Sequence, residues 1–171
     1  MKIGDIAHLK PNTKEIKNVL ICGLGGSGIG GAIITDLVSP KTKVSVSTNK
    51  DYSIPNFVNK NTLVIVNSYS GNTEETVSAL KKCQDKGAEI AVITSGGILK
   101  RIADKHNYNK LIIPAGHPPR AMFGYSFTEL FYMLSHYGII DTSFKDDFKN
   151  GINLLNTEKN NIQKTAKDLA Q

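Results

Sequence analysis

The sequence has 171 residues, of which 40% are hydrophobic and 21% are charged, and its formal net charge is +6. A chain of this length and composition suits one soluble globular domain with a real core, which excludes an intrinsically disordered protein. Lysine and arginine never occur in runs longer than two, so a nucleic-acid-binding surface is not expected.

Short apolar segments alternate with helical patterns through residue 140. This alternation is typical of a parallel sheet covered by helices on both faces. We therefore predict an α/β protein, a three-layer α-β-α sandwich with a five-stranded parallel, flavodoxin-like sheet over residues 1–140 and a helical tail over residues 141–171. The predicted strands are Val19–Cys22, Lys43–Thr48, Leu63–Val66, Glu89–Thr94 and Leu111–Ile113, and the predicted helices are Gly28–Val38, Thr73–Lys86, Gly97–Lys105, Met122–Tyr137, Phe144–Leu155 and Glu158–Leu169.

The two cysteines, Cys22 and Cys83, are too few for a disulfide framework and fit a reducing compartment, so a cytoplasmic protein is expected. Without clustered Cys and His residues, no metal site is expected. Residues 1–11 lack the apolar segment of a signal peptide. The apolar stretch 121–140 contains Glu129 and His136, and is therefore predicted to be a loop end and a buried helix rather than a membrane span.

A glycine-rich loop, Gly23–Gly28, joins the first predicted strand to its helix. Glycine allows close approach of the backbone to a ligand, and a helix start offers free N–H groups and the positive end of the dipole, so an anion is expected here. The spacing also matches the G-x-G-x-x-G pattern of dinucleotide-binding domains, but the acid expected after the second strand could only be Asp51, which comes slightly late. A tight strand–helix turn without a ligand is the alternative.

A hydroxyl-rich loop, Ser68–Thr73, follows the third predicted strand and precedes a helix. Helix capping would explain one of its hydroxyls, but not all of them together with Gly71. Hydroxyls and backbone N–H groups can bind the free oxygens of a phosphoryl group without a metal ion. In a flavodoxin-like sheet the first and third strands flank the point where the strand order reverses, so both loops are expected to converge on one anion-binding crevice.

With both loops identified, the chain resembles the sugar isomerase (SIS) domain, and within it the bifunctional phosphoglucose/phosphomannose isomerase family. The resemblance covers residues 15–140 most strongly. The segments that carry it are Cys22–Gly28, Asn67–Thr76, Thr94–Gly97 and Pro118–Ala121.

The resemblance implies a sugar-phosphate ligand, no cofactor, and a homodimer of proteins about twice this length with two such domains. In that case the tail 141–171 leads toward a second SIS domain that is absent from this chain. Arg120 then corresponds to the active-site arginine, although it could instead be a surface residue in a proline-rich turn. The residues implied as phosphate ligands are Gly26, Ser27, Ser68, Ser70 and Thr73.

The family's catalytic glutamate, histidine and lysine come from the second domain, so a base within this chain has to be sought elsewhere. Glu129, two turns after Arg120 in an apolar helix, could have a raised pKa, but a salt bridge or an interface contact is the simpler interpretation. His117 could touch a ligand or could be an ordinary solvated loop residue. Glu74 and Glu75 stand in a helix's first turn, which suits a structural role.

Three functions stay open at this point. The first is the N-terminal half of an aldose–ketose isomerase that interconverts glucose 6-phosphate or mannose 6-phosphate with fructose 6-phosphate and is incomplete alone. The second is a non-catalytic module that senses sugar phosphates, and the third is a nucleotide-binding domain. A dimer through the aromatic helix 122–137 is also expected, unless the C-terminal helices cover that surface.

Overall fold

The computed structural model describes residues 3–170. Met1, Lys2 and Gln171, which fall within the predicted segments 1–140 and 141–171, lie outside the described residues. The chain divides into two compact units between Ile140 and Asp141. The first unit contains the sheet, and the second contains one long helix.

The sheet has five parallel strands in the order β2-β1-β3-β4-β5. This is the predicted flavodoxin-like arrangement, which is confirmed. The central strands are the most apolar, because both of their faces are covered: every residue of β3 is buried. The strands are β1 (Asn18–Cys22), β2 (Ser45–Asn49), β3 (Thr62–Asn67), β4 (Glu89–Thr94) and β5 (Asn109–Ile112).

Helices cover both faces of this sheet, as predicted for three layers. Helices α2 and α3 share one buried cluster with strand residues such as Leu20 and Val64. Helices α1 and α4 pack together on the other face, where Gly31 lies against Ile21. The helices are α1 (Gly25–Val38), α2 (Glu74–Asp85), α3 (Gly97–His106), α4 (Phe123–His136) and, in the second unit, α5 (Phe144–Leu169), with a short 3₁₀ helix at Pro119–Met122 before α4.

Two of the helix predictions differ from the structure: the start of α1 and the number of helices in the tail. Helix α1 begins at Gly25 rather than Gly28, so part of the glycine loop forms the first helical turn. The prediction of two tail helices is wrong, because α5 is one continuous helix of 26 residues. Asn156 and Thr157 do not break it, since both residues lower helix propensity only slightly. The Thr157 hydroxyl also donates to the carbonyl of Asn153, one turn earlier.

Both cysteines are buried and free. They belong to the cluster beneath α2, where a hydrogen bond with Cys83 and burial hold the pKa of the Cys22 thiol well above its usual range. None of the helices within residues 3–170 is long and apolar enough to cross a bilayer.

Candidate functional site

The two predicted loops leave adjacent strands at the same edge of the sheet. Cys22, the last residue of β1, pairs with Val66 near the end of β3. The strand order reverses here, because β2 lies on one side of β1 and β4 lies beyond β3. Loops at such a reversal diverge to opposite sides and leave a crevice between them.

The glycine loop is held by close backbone contacts. The Gly23 N–H donates to the carbonyl of Asn49 at 3.1 Å, which ties the loop to the end of β2. A Cβ at Gly28 would lie 2.7 Å from the Gly23 oxygen, so a side chain does not fit there. No described side chain caps the start of α1. The first N–H groups of this helix are therefore available to an anion.

The hydroxyl loop forms a second helix start beside the first. Ser68 is buried, and its Oγ lies 3.0 Å from the Oγ1 of Thr73, within hydrogen-bond distance. The N–H of Asn72 donates to the Oγ of Ser70, which is exposed. No described side chain caps α2, although its boundary residue is Thr73. Hydroxyls and uncapped N–H groups thus meet at one place.

A third loop, Thr94–Gly97, supports the hydroxyl loop from the neighbouring strand β4. The Ser95 hydroxyl donates to the carbonyl of Tyr69 at 2.6 Å, and the Ile98 N–H donates to the Oδ1 of Asn72 at 3.0 Å. The sequence resemblance included this loop without giving it a role. Its observed contacts support the shape of the hydroxyl loop.

One cavity of about 490 Å³ contains all six of the predicted site residues. The glycine loop, the hydroxyl loop, the 3₁₀ helix Pro119–Met122 and the start of α4 contribute its lining. The lining residues are Leu24, Gly25, Gly26, Ser27, Ser68, Tyr69, Ser70, Thr73, Pro119, Arg120, Met122, Phe123 and Ser126.

Arg120 carries the only charge among the described residues that line this cavity. It lies in the 3₁₀ helix Pro119–Met122 and is exposed. No carboxylate within residues 3–170 forms a salt bridge with it. A cation together with hydroxyls and two helix N-termini gives a cavity that favours an anion, and no carboxylate or histidine is among its described lining residues.

Two neighbouring residues of the site had no role in the sequence analysis. Tyr69 lines the cavity and bonds to a distant loop. Asn67 is fully buried between the two loops: its Nδ2 reaches the Ser27 carbonyl at 3.4 Å, and its Oδ1 has no partner among the described residues. Asn67 ends β3 and Tyr69 lies in the hydroxyl loop, and both fall within the segment Asn67–Thr76 of the family resemblance. Only their contacts with distant residues distinguish them from spacer residues.

Glu129 does not line the cavity, so it is not positioned as a base. It is fully buried, and both of its carboxylate oxygens accept from the Gly4 N–H, at 3.1 and 3.3 Å. Burial raises the pKa of this carboxyl, with Asp5 adding to the effect, while the Gly4 N–H and His8 oppose it. Glu129 therefore fixes the N-terminal segment to α4. His117 is exposed and also lies outside the cavity.

The raised pKa of Glu129 makes stability depend on pH. Burial favours its protonated form in the folded state, so its contribution is complete below the ordinary pKa near 4.5 and is lost as pH rises through the folded value. Between pH 4.5 and neutrality, we expect Glu129→Gln to become progressively more stable relative to the unsubstituted chain, by about 1.4 kcal/mol for each unit of pKa shift. Thermal unfolding across this range measures the difference.

The control is Glu15→Gln, which replaces an exposed carboxylate. Its stability should differ little from that of the unsubstituted chain, because the exposed ion pair of Glu15 with Lys17 contributes little. A difference between Glu129→Gln and the unsubstituted chain that stays constant with pH would contradict the argument.

The chain matches known proteins along most of its length. A model of the SIS domain family matches residues 14–135. A bifunctional phosphoglucose/phosphomannose isomerase from Caldicellulosiruptor bescii is 44% identical over 140 residues, which are 82% of this chain and 41% of that protein. A D-glucosamine-6-phosphate 4-epimerase from Sulfolobus acidocaldarius is 40% identical over 126 residues, which are 73% of this chain and 40% of that protein. These matches confirm the resemblance predicted from the loops.

A solved structure shows the same fold. The tagatose-6-phosphate ketose/aldose isomerase from Escherichia coli superposes with a TM-score of 0.63, at 23% identity, over 85% of this chain and 44% of that one. The chain thus spans about two fifths of the length of the relatives it matches.

Proposed function

Because the chain belongs to the SIS domain family, we propose that it binds the phosphate group of a sugar phosphate in the cavity between its two loops. The observation that carries the proposal is the convergence of two uncapped helix starts and several hydroxyls on a cavity in which the one charged residue, among the described lining residues, is an arginine. Backbone N–H groups and hydroxyls can bind the oxygens of a phosphate, and the positive charge of Arg120 in the same cavity favours an anionic ligand. The phosphate ligands in this proposal are Gly26, Ser27, Ser68, Ser70 and Thr73.

We further propose that this domain is one half of an aldose–ketose isomerase for glucose 6-phosphate or mannose 6-phosphate and fructose 6-phosphate. The relative from Caldicellulosiruptor bescii supports this reaction by its name. Such a reaction needs a cation or strong donor at the developing enediolate oxygen, and Arg120 suits that role because it is always charged and can bind in a bidentate manner. The base would come from residues outside this chain.

A non-catalytic module that senses sugar phosphates is the second candidate. The absence of a carboxylate among the described cavity residues favours it, because binding needs no base. The relative from Sulfolobus acidocaldarius is named as an epimerase and that from Caldicellulosiruptor bescii as an isomerase, so similarity in this domain does not by itself determine the reaction. Both candidates require the same phosphate site.

Thermal-shift measurements with four ligands test the shared site. Glucose 6-phosphate, fructose 6-phosphate and mannose 6-phosphate should each raise the unfolding temperature, because a ligand that binds only the folded state stabilises it. NAD should leave that temperature unchanged. A shift with NAD alone would instead support a nucleotide-binding domain.

Replacing Ser70 tests the hydroxyl loop directly. Ser70→Ala should weaken fructose 6-phosphate binding by about 1.5–3 kcal/mol, or roughly 10- to 150-fold, because one hydrogen bond to a charged group is lost. Titration calorimetry measures the dissociation constant. Ser45→Ala is the control, since Ser45 is exposed at the start of β2, at the opposite end of the strands. An unchanged constant in Ser70→Ala would contradict the assignment of Ser70.

A homodimer is a further part of the proposal. Gly30 lies against Phe123 and Phe127, so α1 and α4 form one continuous surface. Ile29 and Leu37 on α1 are 54% and 52% exposed, and exposed apolar patches of this kind typically mark interfaces. We therefore extend the predicted interface, helix 122–137, to include α1.

Light scattering at high micromolar concentration should give the mass of a dimer. Ile29→Glu should give a monomer, because a charge would be buried at the contact. Phe57→Glu replaces an exposed aromatic residue outside this surface and should leave the mass unchanged. A monomer mass for the unsubstituted chain would contradict the dimer. A cytoplasmic location completes the proposal, and the two free cysteines support it.

A further inference from the structure

A hydrogen bond joins the hydroxyl loop to the loop that carries Arg120. The backbone N–H of His117 donates to the phenolic oxygen of Tyr69 at 3.0 Å, across 48 residues of sequence. Tyr69 is half-buried and lines the cavity, and His117 stands three residues before Arg120. Because β4 lies between β3 and β5, this bond bridges the end of one intervening strand.

The backbone of Tyr69 is fixed at its other end. Its carbonyl accepts from the N–H of Ser95 at 3.0 Å, from the Ser95 hydroxyl at 2.6 Å and from the Thr94 hydroxyl at 3.4 Å. Because the Tyr69 backbone is held in this way, its hydroxyl has a defined position relative to the hydroxyl loop and can position the His117 N–H that it contacts.

The other end of this hydrogen bond lies in a solvent-exposed loop. Residues 115–120 are all exposed, and this segment connects β5 to the 3₁₀ helix that contains Arg120. The Tyr69 hydroxyl thus links this loop, through the His117 N–H, to the hydroxyl loop. A ligand that spans the cavity would need both sides at a set separation, because a small error in position weakens all contacts of an extended ligand.

We propose that Tyr69 is a positioning residue that holds Arg120 at the distance from the hydroxyl loop that a sugar phosphate requires. The proposal rests on the proposed function, in which the phosphate binds the hydroxyl loop and Arg120 meets the sugar. Tyr69 acts through Arg120, so its removal should affect an extended ligand but not inorganic phosphate.

Calorimetry with two ligands tests this role. Tyr69→Phe should weaken fructose 6-phosphate binding about three- to tenfold, the effect of one hydrogen bond between uncharged groups, and should leave inorganic phosphate binding unchanged. In an Arg120→Ala background the same substitution should have no further effect. His117→Ala keeps the backbone N–H and is the control that should bind both ligands like the unsubstituted chain.

Two results would overturn the proposal. An equal loss for both ligands would mean that Tyr69 shapes the hydroxyl loop itself. A loss that persists in the Arg120→Ala background would mean that the Tyr69 hydroxyl contacts the ligand directly.

A measurement without ligand separates failure of this proposal from failure of the proposed function. If the unsubstituted chain binds neither ligand, the proposed phosphate site is contradicted. Amide exchange by NMR still tests the hydrogen bond between the His117 N–H and the Tyr69 hydroxyl. The amide of His117 should exchange faster in Tyr69→Phe, while the amide of Ser95 should be unaffected because its acceptor is the Tyr69 carbonyl. Unchanged exchange at His117 would overturn the proposal.

Discussion

Replacing Gly71 with alanine should destabilise the domain by about 3 kcal/mol or more, which is in the upper range for single substitutions. Gly71 has a φ of +67°, a conformation that costs other residues about 1–2 kcal/mol. In addition, a Cβ there would collide with the backbone oxygen of Gly96 and lie 2.7 Å from the Thr94 hydroxyl. A backbone atom cannot move aside as a flexible side chain can, so the hydroxyl loop and the third loop would separate.

Alanine substitutions at two other glycines separate the cost of the positive φ from the cost of the collision with Gly96. Gly87 has a φ of +71°, but a Cβ there would meet only Lys60, at 3.9 Å, so Gly87→Ala should show conformational strain alone, about 1–2 kcal/mol. Gly124 lies within α4 with open space around it, and Gly124→Ala should be neutral or stabilising by up to about 1 kcal/mol. Urea unfolding of the three variants measures these differences.

The binding of Gly71→Ala provides a second measurement. Fructose 6-phosphate affinity should fall beyond detection even where the variant is still folded, because the hydroxyl loop loses its shape. If Gly71→Ala were no less stable than Gly87→Ala, the backbone at Gly96 would be able to move away from the added Cβ at little cost. The third loop would then not hold the hydroxyl loop in shape.

Local chemistry in the sequence was sufficient to predict the sheet and the two loops. Continuous apolar runs such as Leu63–Val66 become strands buried on both faces, and glycines and hydroxyls after β1 and β3 lie at one cavity. Their convergence was predictable because parallel strands present their carboxyl ends at one edge. The family resemblance added Arg120, which no local pattern would have placed in the same cavity as the hydroxyls.

Contacts between distant residues could not be predicted in this way. Glu129 and Gly4 are separated by 125 residues, so the helical pattern showed an apolar position with a carboxylate but not its partner. The hydrogen bond between Tyr69 and His117 could not be predicted either, because a tyrosine in a polar loop does not indicate which distant group its hydroxyl will contact. The tail helix illustrates the opposite case: Asn156 and Thr157 weaken a helix locally, yet α5 continues through them.

The 171-residue chain alone should bind sugar phosphate weakly and should not convert fructose 6-phosphate to glucose 6-phosphate at a measurable rate. Isomerisation moves a proton between two carbon atoms, and this step requires a base that faces the sugar. The described residues of the cavity provide hydroxyls, backbone groups and Arg120, but no carboxylate. A positioned acid–base group contributes about 10²–10⁴-fold to a rate, and losing it together with other groups of the pocket costs more than either loss alone.

A coupled assay of glucose 6-phosphate formation tests this expectation, with Arg120→Ala as the matched variant. Adding the C-terminal remainder of a longer relative, expressed separately, should restore turnover if that part supplies the base. The restored turnover should fall again with Arg120→Ala, because the arginine would stabilise the oxyanion that forms during proton transfer. Binding without restored turnover would favour the sensing module.

Turnover by the chain alone that is abolished by Arg120→Ala would contradict this expectation, because it would require a base among the residues present. Glu129 would then be the first residue to replace, since it is a carboxyl group whose pKa is raised by burial. Its carboxylate would have to leave the Gly4 N–H to reach a ligand. Activity that depended on Glu129 should therefore be accompanied by faster amide exchange at Gly4 when fructose 6-phosphate is bound.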